Sequence, residues 1–168
     1  MTPADDGAAT PSQRLAALGL ALPAVPVPAG AYLPARRHGD LVWTAGQLPL
    51  VEGTLTDHGP VGAVVDGGLV TPERAAELAR VCALNALAAT AAVAGGLDAL
   101  SGIVKVVGFV ASVRAFTGQP AVVNGASELL AALFGDAGRH ARSAVGVAVL
   151  PLGAPVEIEL VASICSNI

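Results

Sequence analysis

Apolar and polar positions alternate most clearly near the C-terminus. Arg142 to Leu150 and Pro155 to Ile164 predict two strands around the turn PLGAP. In the second strand Val156, Ile158 and Leu160 share one face, and Glu157 and Glu159 share the other. Gly102 to Val113 (GIVKVVGFVASV) is dominated by β-branched residues and predicts a buried strand. Asp40 to Gln47 (DLVWTAGQ) predicts another, between Gly39 and the Leu48-Pro49 break. Helical signals separate these strands. Thr71-Pro72-Glu73-Arg74 supplies a cap, a proline at the first helical position and a first-turn acid for a long Ala/Leu helix. That helix runs from Pro72 to about Ala94 and stops at Gly95-Gly96. Gln119-Pro120 leads into a second helix, about Ala121 to Phe134, closed by Gly135. A short helix over Ser12 to Leu20, capped by Ser12, precedes the connector LPAVPVPAG, which proline keeps extended. Residues 1 to 10 are expected to be disordered, and residues 52 to 70, with little periodicity, predict a loop with at most one short strand.

Two main helices are too few to cover both sides of a sheet. The order therefore predicts one α+β domain, with helices packed on one sheet face and the other face open to a partner. Residues 1–29 read as an N-terminal extension and residues 30–168 as the domain proper.

Composition sharpens this picture. Hydrophobic residues make up 54% of the 168, charged ones only 13%, and mean hydropathy is +0.67. So few charges imply that apolar surface is buried between copies of the chain, hence an oligomer. A membrane span is not expected: the uncharged stretch Val81 to Leu97 is shorter than the roughly 20 residues a bilayer needs and contains Asn85, Thr90 and Gly95-Gly96. Met1 to Pro11 lacks the basic-then-apolar pattern of a signal peptide, so the expected compartment is the cytoplasm. Net charge is −4, Lys105 is the one lysine, and no basic cluster exceeds Arg36-Arg37, which argues against a nucleic-acid partner. Cys82 and Cys165 have no metal-ligand spacing and read as buried free thiols. No phosphate-binding loop and no Ser-His-Asp arrangement is visible in the sequence.

Few polar groups remain to carry chemistry. Glu157 and Glu159 are either a solvated sheet face or site carboxylates, and their spacing alone does not choose. Arg142 starts its strand, and a guanidinium can hold a carboxylate by two parallel hydrogen bonds. If the two last strands form a hairpin, Arg142 and Glu157 stand about 23 Å apart. A site using both would then need a second subunit. Tyr32, Asn124, Gln47 and His140 complete the candidates, while His38 and His58 lie in glycine-flanked loops and read as surface residues.

The run Arg142-Ser143-x-Val145-x-Val147-x-x-Leu150-Pro151, followed by Val156-Glu157-Ile158-Glu159, resembles the C-terminal signature of the Rid/YjgF family of enamine/imine deaminases. GAYLP around Tyr32, TAGQLP from Thr44 to Pro49 and Asn124 match in the same order, and Asn85 is a further, structural match. The resemblance implies a chorismate-mutase-like subunit, a mixed sheet with two main helices on one face, assembled as a homotrimer with clefts between subunits. There Arg142 would bind the carboxylate of a 2-imino acid or similar small acid, Glu157 would position or activate water, and Tyr32, Gly46 and Asn124 would line the pocket. Ammonia would leave and a 2-oxo acid remain, with no metal or organic cofactor. Ala45 and Ala144 stand where many members carry serine and cysteine or another polar residue, which implies a more apolar pocket in a longer branch of the family. Two other functions compete: a non-catalytic trimer that binds small carboxylates or a partner protein, and the endoribonuclease role that some members' names carry.

Overall fold

The computed structural model describes residues 9–25, 30–62 and 70–165. Its order is α1 (Pro11–Ala17), β1 (Ala35–His38), β2 (Leu41–Thr44), β3 (Leu50–Val51), β4 (Thr54–Leu55), α2 (Pro72–Ala94), β5 (Leu100–Ala111), α3 (Gln119–Phe134), β6 (Ala141–Val147) and β7 (Val156–Ile164). The long helix begins and ends where its sequence signals stand. Thr71 accepts from the Arg74 N–H, a cap worth about 1 kcal/mol, and Gly95 closes the helix in the left-handed conformation. The short helix is capped two residues earlier than expected. Thr10, not Ser12, is the cap, because Gln13 at the third helical position reaches back to the Thr10 N–H and closes a capping box. Thr10 and Ser12 then both bond Asp98, which ties the start of the chain to the turn before β5. Thus the expected disorder does not extend to Thr10; residues 1–8 lie outside the described part, as do residues 63–69 of the expected loop.

The five main strands form a mixed sheet in the order β1-β2-β7-β5-β6, with β3 and β4 a separate two-stranded pair. Only β5 and β6 run parallel; the other neighbours are antiparallel. One expectation fails here. β6 and β7 do not form a hairpin, because β5 lies between them and pairs with both. PLGAP is therefore a crossover between non-adjacent strands: a single helical turn over Pro151–Gly153 that includes Leu152 at positive φ. The β1–β2 hairpin, with Arg36 and Arg37 on its outer strand, was not foreseen from the pattern, since a charged edge strand carries no buried alternation.

Helices α2 and α3 pack on one face of the sheet. Ile158, Leu160, Val106 and Val110 from the strands meet Leu78, Leu87, Val122, Val123 and Leu130 from the helices in one core. Among the described residues α2 alone is long and apolar enough to cross a membrane, yet 61% of its apolar window is buried within the fold. It is a core helix. Along β5 and β7 burial alternates, so the opposite sheet face presents half-buried or exposed Trp43, Lys105, Val107, Phe109, Ser143, Val145, Glu157 and Glu159. Around Phe109, Val107 and Val145 the polar groups on this face are Lys105, Ser143 and the two acids, with Arg36 and Ser163 toward the other edge.

Candidate functional site

Glu157 faces the open side of the sheet, as the alternation predicts. Beside it the chain leaves β2 and runs through Ala45, Gly46 and Gln47. The N–H groups and carbonyls of Gln47 and Ile158 exchange hydrogen bonds, at 2.9 and 3.0 Å, and clamp this segment against β7. Gly46 is thereby placed directly against the Glu157 side chain, and a Cβ at position 46 would coincide with the Glu157 carboxylate oxygen. Glycine is needed here because the carboxylate occupies the space a side chain would fill. Burial raises the Glu157 pKa above its usual 4.5, and the neighbouring Glu159 charge raises it further. Burial also raises that of Glu159. Neither carboxylate has a hydrogen-bond or ion-pair partner among the described residues; Lys105, the nearby cation, donates to Ser143 Oγ at 2.9 Å. Gly46→Ala should push the carboxylate toward solvent and return its titration toward the ordinary range in a side-chain carboxyl NMR experiment. An unchanged midpoint would show that Gly46 does not set this environment.

Arg142 occupies a different place. It sits on the edge strand β6 in register with Val106, which in turn is level with Leu160. Residues in register share a face, so Arg142 lies on the helix side of the sheet. Its Nη1 donates to Asn124 Oδ1 at 2.7 Å and to Ser127 Oγ at 3.1 Å, both on α3. Those bonds use both Nη1 protons. Among the described residues Nε and Nη2, the edge that matches a carboxylate in a two-point contact, carry no hydrogen bond, and no carboxylate pairs with Arg142. A shallow cavity of about 300 Å³ opens beside it, lined by Ser127, Ala131, Gly138, Arg139, His140 and Arg142. Ala144, two residues along on the same face, packs half-buried against the core and adds an apolar wall.

Arg142 and Glu157 are thus separated within one chain, but not along a hairpin. They stand two strand spacings apart and three residues offset along the strands, roughly 14 Å between backbone positions, on opposite faces of the sheet. Gly46 belongs with Glu157, and Asn124 belongs with Arg142. Tyr32 has no hydrogen bond to either group among the described residues: it is 52% exposed, two residues before Pro34, whose carbonyl accepts from the Ala45 N–H. That puts it at the Gly46 end of the sheet. Gln47 is buried and structural, and so is Asn85, whose Nδ2 donates to the carbonyls of Leu48 and Leu50. Cys82 is buried as expected, whereas Cys165 is exposed, because it follows the last strand. Among the described residues no cluster of His, Cys, Asp or Glu could hold a metal ion. The residue that sequence reading missed is Ser127. NGAS in the middle of α3 holds Ser127 itself, and HAR at the entry to β6 holds its partners, but only the packing of α3 beside β6 joins them.

Residues 12–164 match the family model described as "YjgF/chorismate_mutase-like, putative endoribonuclease". Protein TCP17 of Trypanosoma cruzi is 44% identical over 149 residues, covering 87% of this chain and 89% of that protein. The crystal structure of Atu1372 from Agrobacterium tumefaciens, a protein with unknown function, is 41% identical over 92% of both chains with a TM-score of 0.80. A Shewanella oneidensis crystal structure given the same endoribonuclease description is 33% identical, covers 93% of this chain and 100% of its own, and has a TM-score of 0.86.

Proposed function

The chain belongs to the YjgF/chorismate mutase-like family, and from that membership and its two half-sites we propose a hydrolase of 2-imino acids or related small C=N compounds, working in clefts between the copies of a homotrimer. The observation that carries this reading is Arg142: its guanidinium is fixed through Nη1 while the two-point Nε–Nη2 edge has no partner among the described residues. Such an edge suits a small carboxylate.

The separation of the half-sites supports an assembly of copies. Arg142 of one copy and Glu157 of the same copy face opposite sides of the sheet, so one substrate can meet both only if Glu157 comes from a neighbour. The open sheet face, with Trp43, Val107, Phe109 and Val145 around the two glutamates, suits burial against another copy.

In this reaction the imine carbon is already electrophilic, so the protein needs only to orient it and to manage protons. Arg142 holds the substrate carboxylate. Glu157 accepts a proton from water as the oxygen adds to the carbon of the C=N bond. Glu157 returns that proton to the nitrogen, giving the carbinolamine; the carbinolamine hydroxyl proton then passes to the amine, the carbon–nitrogen bond breaks, ammonia leaves, and the 2-oxo acid remains with Glu157 again a carboxylate. Burial of Glu157 raises its basicity for this task.

The test uses 2-imino acids made freshly by an amino-acid oxidase, with semicarbazide trapping whatever is not hydrolysed. Catalytic amounts of the protein should lower semicarbazone yield. Unchanged yield at every protein concentration contradicts the reading. If 2-oxo acids raised thermal stability without any turnover, the binding-only role would take its place. The endoribonuclease description of relatives finds less support, since RNA needs a cationic surface and this chain has a net charge of −4 with one lysine.

A further inference from the structure

Next to Arg142 stands a hydrogen-bonded pair that the imine reaction does not use. Ser127 Oγ lies 3.0 Å from His140 Nε2, and His140 Nδ1 lies 2.7 Å from the Gly138 carbonyl oxygen. A carbonyl can only accept, so Nδ1 carries the proton. In the neutral ring Nε2 is then an acceptor, and the proton between Ser127 and His140 belongs to the serine hydroxyl. Ser127 Oγ meanwhile accepts from Arg142 Nη1. Every donor and acceptor along Arg142, Ser127, His140 and Gly138 therefore has one assigned direction. Burial and the Arg142 charge lower the His140 pKa from its usual 6.5, which favours the neutral ring this arrangement needs.

The surrounding backbone fixes the geometry. Asn124 and Ser127 are three residues apart on α3 and so point the same way, toward β6. The rotation of α3 that aims them is set by Gly125, where any Cβ would overlap the Ala76 carbonyl oxygen of α2. The two helices press together at that point, and α3 cannot turn without a clash.

We propose that Ser127 and His140 are positioning residues that act through Arg142: they lock its Nη1 so that the Nε–Nη2 edge is presented to a small carboxylate. The inference rests on the reading of Arg142 as carboxylate anchor. Without Ser127 the guanidinium keeps only Asn124 and regains rotation about its last torsions. Without His140 the serine hydroxyl loses its acceptor and turns its lone pairs elsewhere. Neither residue needs to touch the substrate. The direction of the network also explains why a histidine, and not a lysine or arginine, occupies position 140: the position must accept.

Binding of benzoate and pyruvate, followed by calorimetry on the full chain, tests this without reference to turnover. Ser127→Ala and His140→Ala should each weaken binding about 5- to 20-fold, the upper end of the scale of one ordinary intramolecular hydrogen bond. Ser127→Thr, which keeps the hydroxyl, should restore binding to within about 3-fold of the parent. In an Arg142→Ala background the further change Ser127→Ala should have no effect, because residues that act through one another are not additive. If Ser127→Ala folds poorly, His140→Gln, which keeps an acceptor, compared with His140→Ala gives the same comparison. The proposal is overturned if Arg142→Ala loses binding while Ser127→Ala and His140→Ala retain it. It is also overturned if Ser127→Ala weakens binding equally with and without Arg142. Full binding by Arg142→Ala instead removes the anchor reading itself, and the positioning role with it.

Discussion

Arg142→Ala should lower kcat/KM for 2-imino acids by about 10²- to 10³-fold, the loss expected when one partner of a hydrogen-bonded charge pair is truncated. The chain should stay folded. Arg142 sits on an edge strand, half-buried, and its bonds go to Asn124 and Ser127, which can turn to water when it is gone. Arg142→Lys separates charge from shape. A lysine keeps the positive charge but cannot bond Asn124 and Ser127 on one side while presenting a planar two-point edge on the other, so less than about a tenth of the activity should return. The check is steady-state decay of enzymatically generated imine with semicarbazide trapping. Rates within about 3-fold of the parent in both variants would exclude carboxylate anchoring by Arg142.

Glu157→Gln should lower kcat by about 10²- to 10³-fold and leave KM nearly unchanged, since the amide keeps the shape against Gly46 but cannot take a proton. In the parent protein, kcat/KM should fall as pH drops through the raised Glu157 pKa, so the acid limb lies above 4.5. Glu159→Gln should shift that limb to lower pH, because the Glu159 charge is part of what raises Glu157. The stability effect has the opposite sense to activity. A carboxyl whose folded pKa is raised favours the fold below its unfolded value, and that contribution is lost as pH rises through the folded value. Glu157→Gln should therefore melt higher than the parent near neutral pH and match it below about 4.5. Equal melting curves at both pH values would show that burial of this carboxylate does not strain the fold.

Local chemistry made much of the fold readable. The Thr71 cap, Pro72 and Gly95 bound α2 without help from the rest of the chain, and the alternation of Val156 to Leu160 sorted the two faces of β7. What escaped was pairing between distant segments. PLGAP joins two strands with a short turn, so sequence suggested that they pair; the parallel addition of β6 to β5 depends on how α3 packs and leaves no local mark. Ser127 was missed for the same reason. An interior helical serine is unremarkable until α3 packs beside β6 and brings His140 within a hydrogen bond. Family resemblance names Arg142, Glu157, Gly46 and Asn124 as candidates, and the structure adds how they divide: Gly46 with Glu157, Asn124 with Arg142. Tyr32 stays apart from both groups within one chain.

The central claim is that one site takes Arg142 from one copy and Glu157 from its neighbour, and mixed assembly of two inactive variants tests it most directly. Arg142→Ala and Glu157→Gln chains, co-expressed in equal amounts and purified together, should form trimers in which about a quarter of the shared sites receive both intact residues. The account predicts that such mixtures recover about a quarter of the parent imine-hydrolysis rate, while each variant alone stays near background. Mixed trimers with no more activity than the separate variants would contradict it.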